Sequence, residues 1–140
     1  MRITRVDHIS IAVRDLDEAI STFSRLFNLQ SKDRRKVRTL GMENVFIPLK
    51  DAAIELVMPL DEPDYQDDVR RFLDRKGEGM MNLALSVDNL EKAISHLKRC
   101  GIRVIESRDA DGDKIAFVHP KDVHGVLVEL RTGMREIRDS

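Results

Sequence analysis

The sequence predicts an α+β fold in which two tandem βαβββ modules form a curved mixed sheet around a shared cleft. Three observations predict it. Val6–Ser21 aligns without a gap on Met80–Ser95, an internal repeat at an offset of 74 residues. Each copy opens with an alternating strand that leads into an amphipathic helix. Later in each copy a strand carries a glutamate at its centre, Ala53-Ile54-Glu55-Leu56 and Leu127-Val128-Glu129-Leu130, again 74 apart.

The first strand places Ile9, Ile11 and Val13 on one parity and Val6, His8 and Ala12 on the other. Asp15 is suited to cap the helix that follows, with Leu16, Ala19, Ile20, Phe23 and Phe27 at helical spacing. A strand is expected near 35–39, then another through Asn44-Val45-Phe46-Ile47, a turn at 48–51, and the Glu55 strand. Residues 64–76 read as a linker helix with Val69, Phe72 and Leu73 inward, and Gly77-Glu78-Gly79 leads into the second copy. There Leu83, Leu85 and Val87 form the strand, Asn89 the cap, and Leu90, Ala93, Ile94 and Leu97 the helix face, with Gly101 at its end. Strands near 103–106, through Lys114-Ile115-Ala116-Phe117-Val118 and through Glu129 complete the copy. One domain results: module one at about 3–60, module two at about 79–131, and a charged tail at 132–140 expected to fray from Met134 on.

Composition narrows the function classes. Hydrophobic residues make up 41% of the 140, enough for a packed core. The 24 basic and 25 acidic side chains nearly cancel, which gives no electrostatic reason to expect nucleic acid or a membrane surface. A single cysteine, Cys100, cannot form an internal disulfide and points to a reducing compartment. No long apolar run or signal-peptide pattern opens the chain, so a soluble, cytoplasmic protein is expected.

The informative residues are polar ones on strand faces that should be buried. A buried carboxylate costs several kcal/mol unless it is paired, hydrogen-bonded or bound to metal. Repeat symmetry sets His8 opposite position 82, and Glu55 opposite Glu129, so four inward positions converge. Imidazole and carboxylate together suit Zn²⁺, Co²⁺, Mn²⁺, Fe²⁺ or Ni²⁺. Each residue alone has a plainer account, a hydrogen-bonded structural histidine or a glutamate on an exposed strand face. His119 and His124 flank a hairpin turn and could be solvated or face a ligand, while His96 suits a helix C-terminus.

Several segments resemble the methylmalonyl-CoA epimerases of the vicinal oxygen chelate (glyoxalase) superfamily. Asp7-His8-Ile9-Ser10-Ile11-Ala12-Val13-Arg14-Asp15-Leu16 is similar to their first ligand strand, and Ala53-Ile54-Glu55-Leu56-Val57-Met58-Pro59-Leu60 to their second. Arg71-Phe72-Leu73-Asp74-Arg75-Lys76-Gly77-Glu78-Gly79 resembles their linker helix and its glycine exit. Phe117-Val118-His119-Pro120-Lys121-Asp122 and Gly125-Val126-Leu127-Val128-Glu129-Leu130 resemble their closing hairpin.

The resemblance implies a homodimer that moves a proton at the α-carbon of an acyl-CoA, with a divalent metal (Co, Mn, Zn or Ni) held by His8, Glu55, Glu129 and position 82. It implies Glu129 as one acid/base and Glu43 as its partner. Where the family carries paired histidines, this chain reads Gly79-Met80-Met81-Asn82-Leu83. Asn82 then ligates through its weaker amide oxygen, a water fills the gap, or the metal is lost. Two further readings stay open: a lactoylglutathione lyase-like isomerase, and a metal-free small-molecule-binding protein.

Overall fold

A computed structural model describes residues 1–61, 68–134 and 136–139. The described residues form β1 (Ile3–Ala12), α1 (Leu16–Phe27), β2 (Lys32–Val37), β3 (Met42–Pro48), β4 (Ala53–Pro59), α2 (Asp68–Lys76), β5 (Gly79–Val87), α3 (Leu90–Arg99), β6 (Val104–Arg108), β7 (Lys114–Val118) and β8 (Leu127–Thr132). The strands make one sheet in the order β2-β3-β4-β1-β5-β8-β7-β6. Its two halves have the same design: β1 runs parallel to β4, and β5 parallel to β8. The opening strands β1 and β5 pair antiparallel at the centre and join the modules. This is the expected tandem βαβββ arrangement.

Helix signals read from the sequence act as expected. The Asp15 side chain accepts from the Glu18 N–H, and Asn89 accepts from the Lys92 N–H, each at 3.0 Å. Gly101 sits at φ +77°, where its N–H reaches the Lys98 carbonyl and the Ile102 N–H reaches that of Leu97. That pair of bonds is a Schellman ending, which favours glycine at its left-handed position.

Helices α1 and α3 cover the outer face of the sheet. Leu16, Ala19, Ile20 and Phe23 of α1 pack with Val45, Ile47 and Leu56, while Leu90, Ala93 and Ile94 of α3 pack with Ala116, Val118 and Leu130. Helix α2 lies on the other, concave face, where Val69 and Leu73 pack against Ala12 and Val57. Strand alternation therefore sends Ile11 and Leu56 out to α1, and His8, Ser10 and Glu55 inward to the face that α2 covers.

Some boundaries differ from expectation. Phe27 is 60% exposed at the end of α1, because the chain leaves the helix at Asn28 (φ +55°) before a further turn can cover the ring. The strand expected at 35–39 runs from Lys32 to Val37, and Arg38–Leu40 form a 3₁₀ turn. Residues 64–67 of the expected linker helix lie outside the described residues. The tail does not simply fray: the Arg138 N–H donates to Asp33 Oδ2 at 3.2 Å and Lys32 Nζ meets Asp139 Oδ1 at 2.9 Å, because charges along β2 complement those of the tail. Among the described residues no helix is long and apolar enough to cross a membrane.

Candidate active site

The concave face carries a polar cluster that a core sheet would normally exclude. His8, Ser10, Asn44, Glu55, Asn82 and Glu129 are all buried, and all six line one cavity of about 140 Å³. They come from five strands: β1 gives His8 and Ser10, β3 gives Asn44, β4 gives Glu55, β5 gives Asn82 and β8 gives Glu129. Val69 of α2 and Met81 close the cavity from the apolar side.

The strand register refines the predicted symmetry. Across the central β1–β5 pair, Asn82 stands opposite Ser10, while His8 stands opposite Ala84. An irregularity between Val6 and His8 adds one residue to β1 without a partner on β5, and that residue is Asp7. The bulge breaks the alternation, so Asp7 and His8 are both buried although they are neighbours in sequence.

Hydrogen bonds hold these groups in place. Asp7 Oδ2 lies 2.7 Å from His8 Nδ1, which assigns the proton to Nδ1 and aims Nε2 into the cavity. His8 Nε2 is 3.7 Å from Glu55 Oε1, and the Phe46 ring packs edge-on against the imidazole at 5.6 Å between centroids. Glu55 is strapped at both oxygens: Ser10 Oγ donates to Oε1 at 2.5 Å and Asn44 Nδ2 donates to Oε2 at 2.7 Å. Glu129 is held more loosely, by Asn82 Nδ2 at 3.3 Å and Arg131 Nη1 at 3.5 Å. Beneath it, the buried Arg131 pairs with Asp109 at 2.7 Å.

The electrostatics follow from this crowding. Burial lowers the pKa of His8, but the Asp7 bond and the charges of Glu55, Glu129 and Asp7 outweigh it, so the imidazole holds its proton above the ordinary range. Burial pushes the Glu129 carboxyl above the usual range; the charge of Glu55 adds to this, and the charge of His8 opposes it. A loosely held carboxyl with a raised pKa can both accept and return a proton.

Does this set fit a divalent cation? Asn82 Oδ1 is buried with no hydrogen-bond partner among the described residues, and an amide oxygen can only accept, so it is open to a donor or a cation. An imidazole nitrogen, two carboxylates and that free oxygen form a mixed N/O set of the kind divalent transition metals take. Among the described residues no three His, Cys, Asp or Glu side chains are already drawn to one ligating point, because Glu55 turns to Ser10 and Asn44. The residues fit; binding requires side-chain rotation.

Glu43 is not brought to this cluster. On β3 the even positions Met42 and Asn44 line the cavity, and the odd position turns outward. There Glu43 Oε2 meets Arg34 Nε at 2.7 Å, and Arg34 also pairs with Asp17 of α1. This corrects the placement read from sequence: Glu43 is one residue out of phase with the site. Among the histidines, His119 Nδ1 accepts from the Lys121 N–H at 3.0 Å, and His96 lies at the end of α3, 3.8 Å from Cys100 Sγ. The sequence reading missed Ser10, Asn44, Asp7 and the Arg131–Asp109 pair. Ser10 shares the parity of His8, and Asn44 sits among apolar strand residues, which was the available signal.

A duplicated βαβββ half-barrel with a polar site on its concave face defines a class. The sequence pattern of the Glyoxalase/Bleomycin resistance protein/Dioxygenase superfamily matches residues 7–117, and the chain belongs to that superfamily. Within it, the chain is similar to methylmalonyl-CoA epimerases. It is 34% identical over 132 residues to the mitochondrial methylmalonyl-CoA epimerase of Homo sapiens, covering 90% of this chain and 72% of that protein. It is 32% identical over 133 residues to an ethylmalonyl-CoA/methylmalonyl-CoA epimerase of Cereibacter sphaeroides, covering 91% and 97%. Its fold matches a variant of Streptomyces coelicolor methylmalonyl-CoA epimerase in complex with 2-nitronate-propionyl-CoA, with a TM-score of 0.86, 27% identity and coverage of 94% and 96%.

Proposed function

We propose that the chain is an epimerase that moves a proton on and off the α-carbon of a short branched acyl-CoA, methylmalonyl-CoA or a close homologue. The observation that carries this reading is the convergence of His8, Glu55, Asn82 and Glu129 in one buried cavity of a fold shared with the epimerases. A cavity of about 140 Å³ matches engineered cavities of roughly 150 Å³ that hold benzene, so it takes a small acyl group and leaves the rest of a coenzyme A thioester outside.

Removal of an α-proton beside a thioester carbonyl places negative charge on the carbonyl oxygen. His8, Glu55, Asn82 and Glu129 would hold a divalent cation, which would supply Lewis acidity toward that charge, worth several kcal/mol. Asp7 fixes the His8 ring, so the imidazole does not have to reorganise when charge develops, whereas Glu55 would have to turn from Ser10 and Asn44 to reach a cation. Glu129 takes the proton on the sheet side. Epimerisation also needs a group on the opposite face of the planar carbon; of the remaining carboxylates that line the cavity, Asp109 is tied to Arg131, which leaves Asp68 at the start of α2, exposed beside Arg71.

The test is direct. One epimer of methylmalonyl-CoA, incubated with the chain and Mg²⁺, Mn²⁺, Co²⁺, Ni²⁺ or Zn²⁺ in turn, is expected to convert to the other epimer. No interconversion with any of the five ions contradicts the reading.

A further inference from the structure

Strand β8 places a cation beside its own proton-transfer group. Arg131 follows Glu129 by two residues, so both side chains leave the concave face of the strand, roughly 7 Å apart. Arg131 is 4% exposed, and a guanidinium so buried needs a counter-charge. Glu129 is the carboxylate next to it on β8. A close two-oxygen pair between them would hold Glu129 away from a substrate in the cavity.

The observed geometry avoids that pair. Arg131 Nη2 donates to Asp109 Oδ2 at 2.7 Å, whereas Nη1 reaches Glu129 Oε2 only at 3.5 Å. Asp109 opens the turn between β6 and β7, and its Oδ1 accepts from the N–H groups of Asp111 and Asp113, each at 2.9 Å. Gly112, at φ +85°, allows the chain to fold back around that oxygen. With one oxygen pinned by the turn, the other faces β8. Asp7, whose charge also reaches the guanidinium, has its oxygens on Arg5 and His8. Among the described residues Arg131 Nε has no acceptor, so the guanidinium retains bonding capacity for a second carboxylate.

We infer that Asp109 is a positioning residue for proton transfer: by taking the charge of Arg131, it leaves Glu129 free to turn toward the α-carbon. The inference rests on the proposed role of Glu129 and extends it to the turn between β6 and β7. Without the charge of Asp109, the guanidinium swings to Glu129 and locks it. What changes is where the Glu129 carboxylate points, so the effect falls on kcat.

The experiment begins with Asp109→Asn, which keeps an oxygen for the Asp111 and Asp113 N–H groups, removes the negative charge, and turns an amide N–H₂ toward the guanidinium. With methylmalonyl-CoA and divalent cation in excess, kcat is expected to fall about 10²-fold, as for loss of a general base, with KM within about threefold of wild type. Asp109→Asn/Arg131→Met removes the captor as well and is expected to recover to within about tenfold of wild type. A residue that merely shapes its turn is not rescued by a second substitution on β8. Wild-type kcat in the single variant, or a double variant no faster than the single one, overturns the inference and leaves the epimerase reading standing. If Asp109→Asn does not fold while the double variant does, Glu129 has not taken up the charge, and the inference is overturned too. If wild type does not turn over methylmalonyl-CoA, the epimerase reading falls instead. The crystal structure of Asp109→Asn then decides the change of partner: a guanidinium within about 3 Å of Glu129 supports it, and one that stays away overturns it.

Discussion

His8 and Asp7, consecutive residues of β1, lie with Nδ1 and Oδ2 2.7 Å apart in the buried face of the sheet. Adjacent strand residues normally point to opposite faces, and only the bulge between Val6 and His8 lets the carboxylate reach the ring of its own neighbour. The pair fixes which nitrogen of His8 faces the cavity.

Asp7→Asn tests that role. The amide keeps size and burial but presents a weaker acceptor to Nδ1, so the ring orientation and the basicity of Nε2 both suffer. Cation affinity is expected to fall about 10- to 100-fold with the fold retained, read by competitive titration with a chromogenic chelator and by circular dichroism. Unchanged affinity would show that Asp7 only fills space.

Glu43→Gln is expected to leave epimerisation within about twofold of wild type, because the side chain faces α1 and substitutions away from the site rarely change more. Initial rates measure it. A loss of several orders of magnitude would return Glu43 to the site, against the observed alternation of β3.

Asp68→Asn separates the two proton transfers. With Glu129 alone in place, solvent deuterium is expected to enter one epimer of methylmalonyl-CoA while conversion to the other slows by about 10²–10⁴-fold. Mass and chiral analysis of the same reaction supply both numbers. Equal loss of exchange and inversion would remove Asp68 from the second face.

Asn82→His replaces the unpartnered amide oxygen by an imidazole, the stronger ligand for the later divalent transition metals. The variant is expected to bind Co²⁺, Ni²⁺ or Zn²⁺ at least about tenfold more tightly than the native chain. Equal affinities in the two proteins would mean that position 82 does not ligate.

Most of the architecture was legible because the repeat stated it twice. Asp15 and Asn89 cap the two helices at matching positions, and β8 stands to β5 as β4 stands to β1, in keeping with the offset of 74. His8, Glu55, Asn82 and Glu129 were legible for the same reason, as polar residues at equivalent inward positions. Glu43 misled because proximity in sequence says nothing about parity, and one residue decides the face. Asp7 was hidden by a bulge, which no alternation pattern reveals. Arg131 and Asp109 meet only through tertiary packing, since 22 residues separate them. The tail seemed free because its partners, Lys32 and Asp33, lie on a distant edge strand.

The most direct measurement is solvent deuterium entering the α-position of methylmalonyl-CoA, followed by mass spectrometry with wild type and Glu129→Gln side by side. Divalent-cation-stimulated exchange in wild type, reduced at least about 10²-fold in Glu129→Gln, is the predicted result. Exchange that is absent in wild type with every cation supplied, or as fast in Glu129→Gln, would contradict the assignment of proton transfer to this cluster.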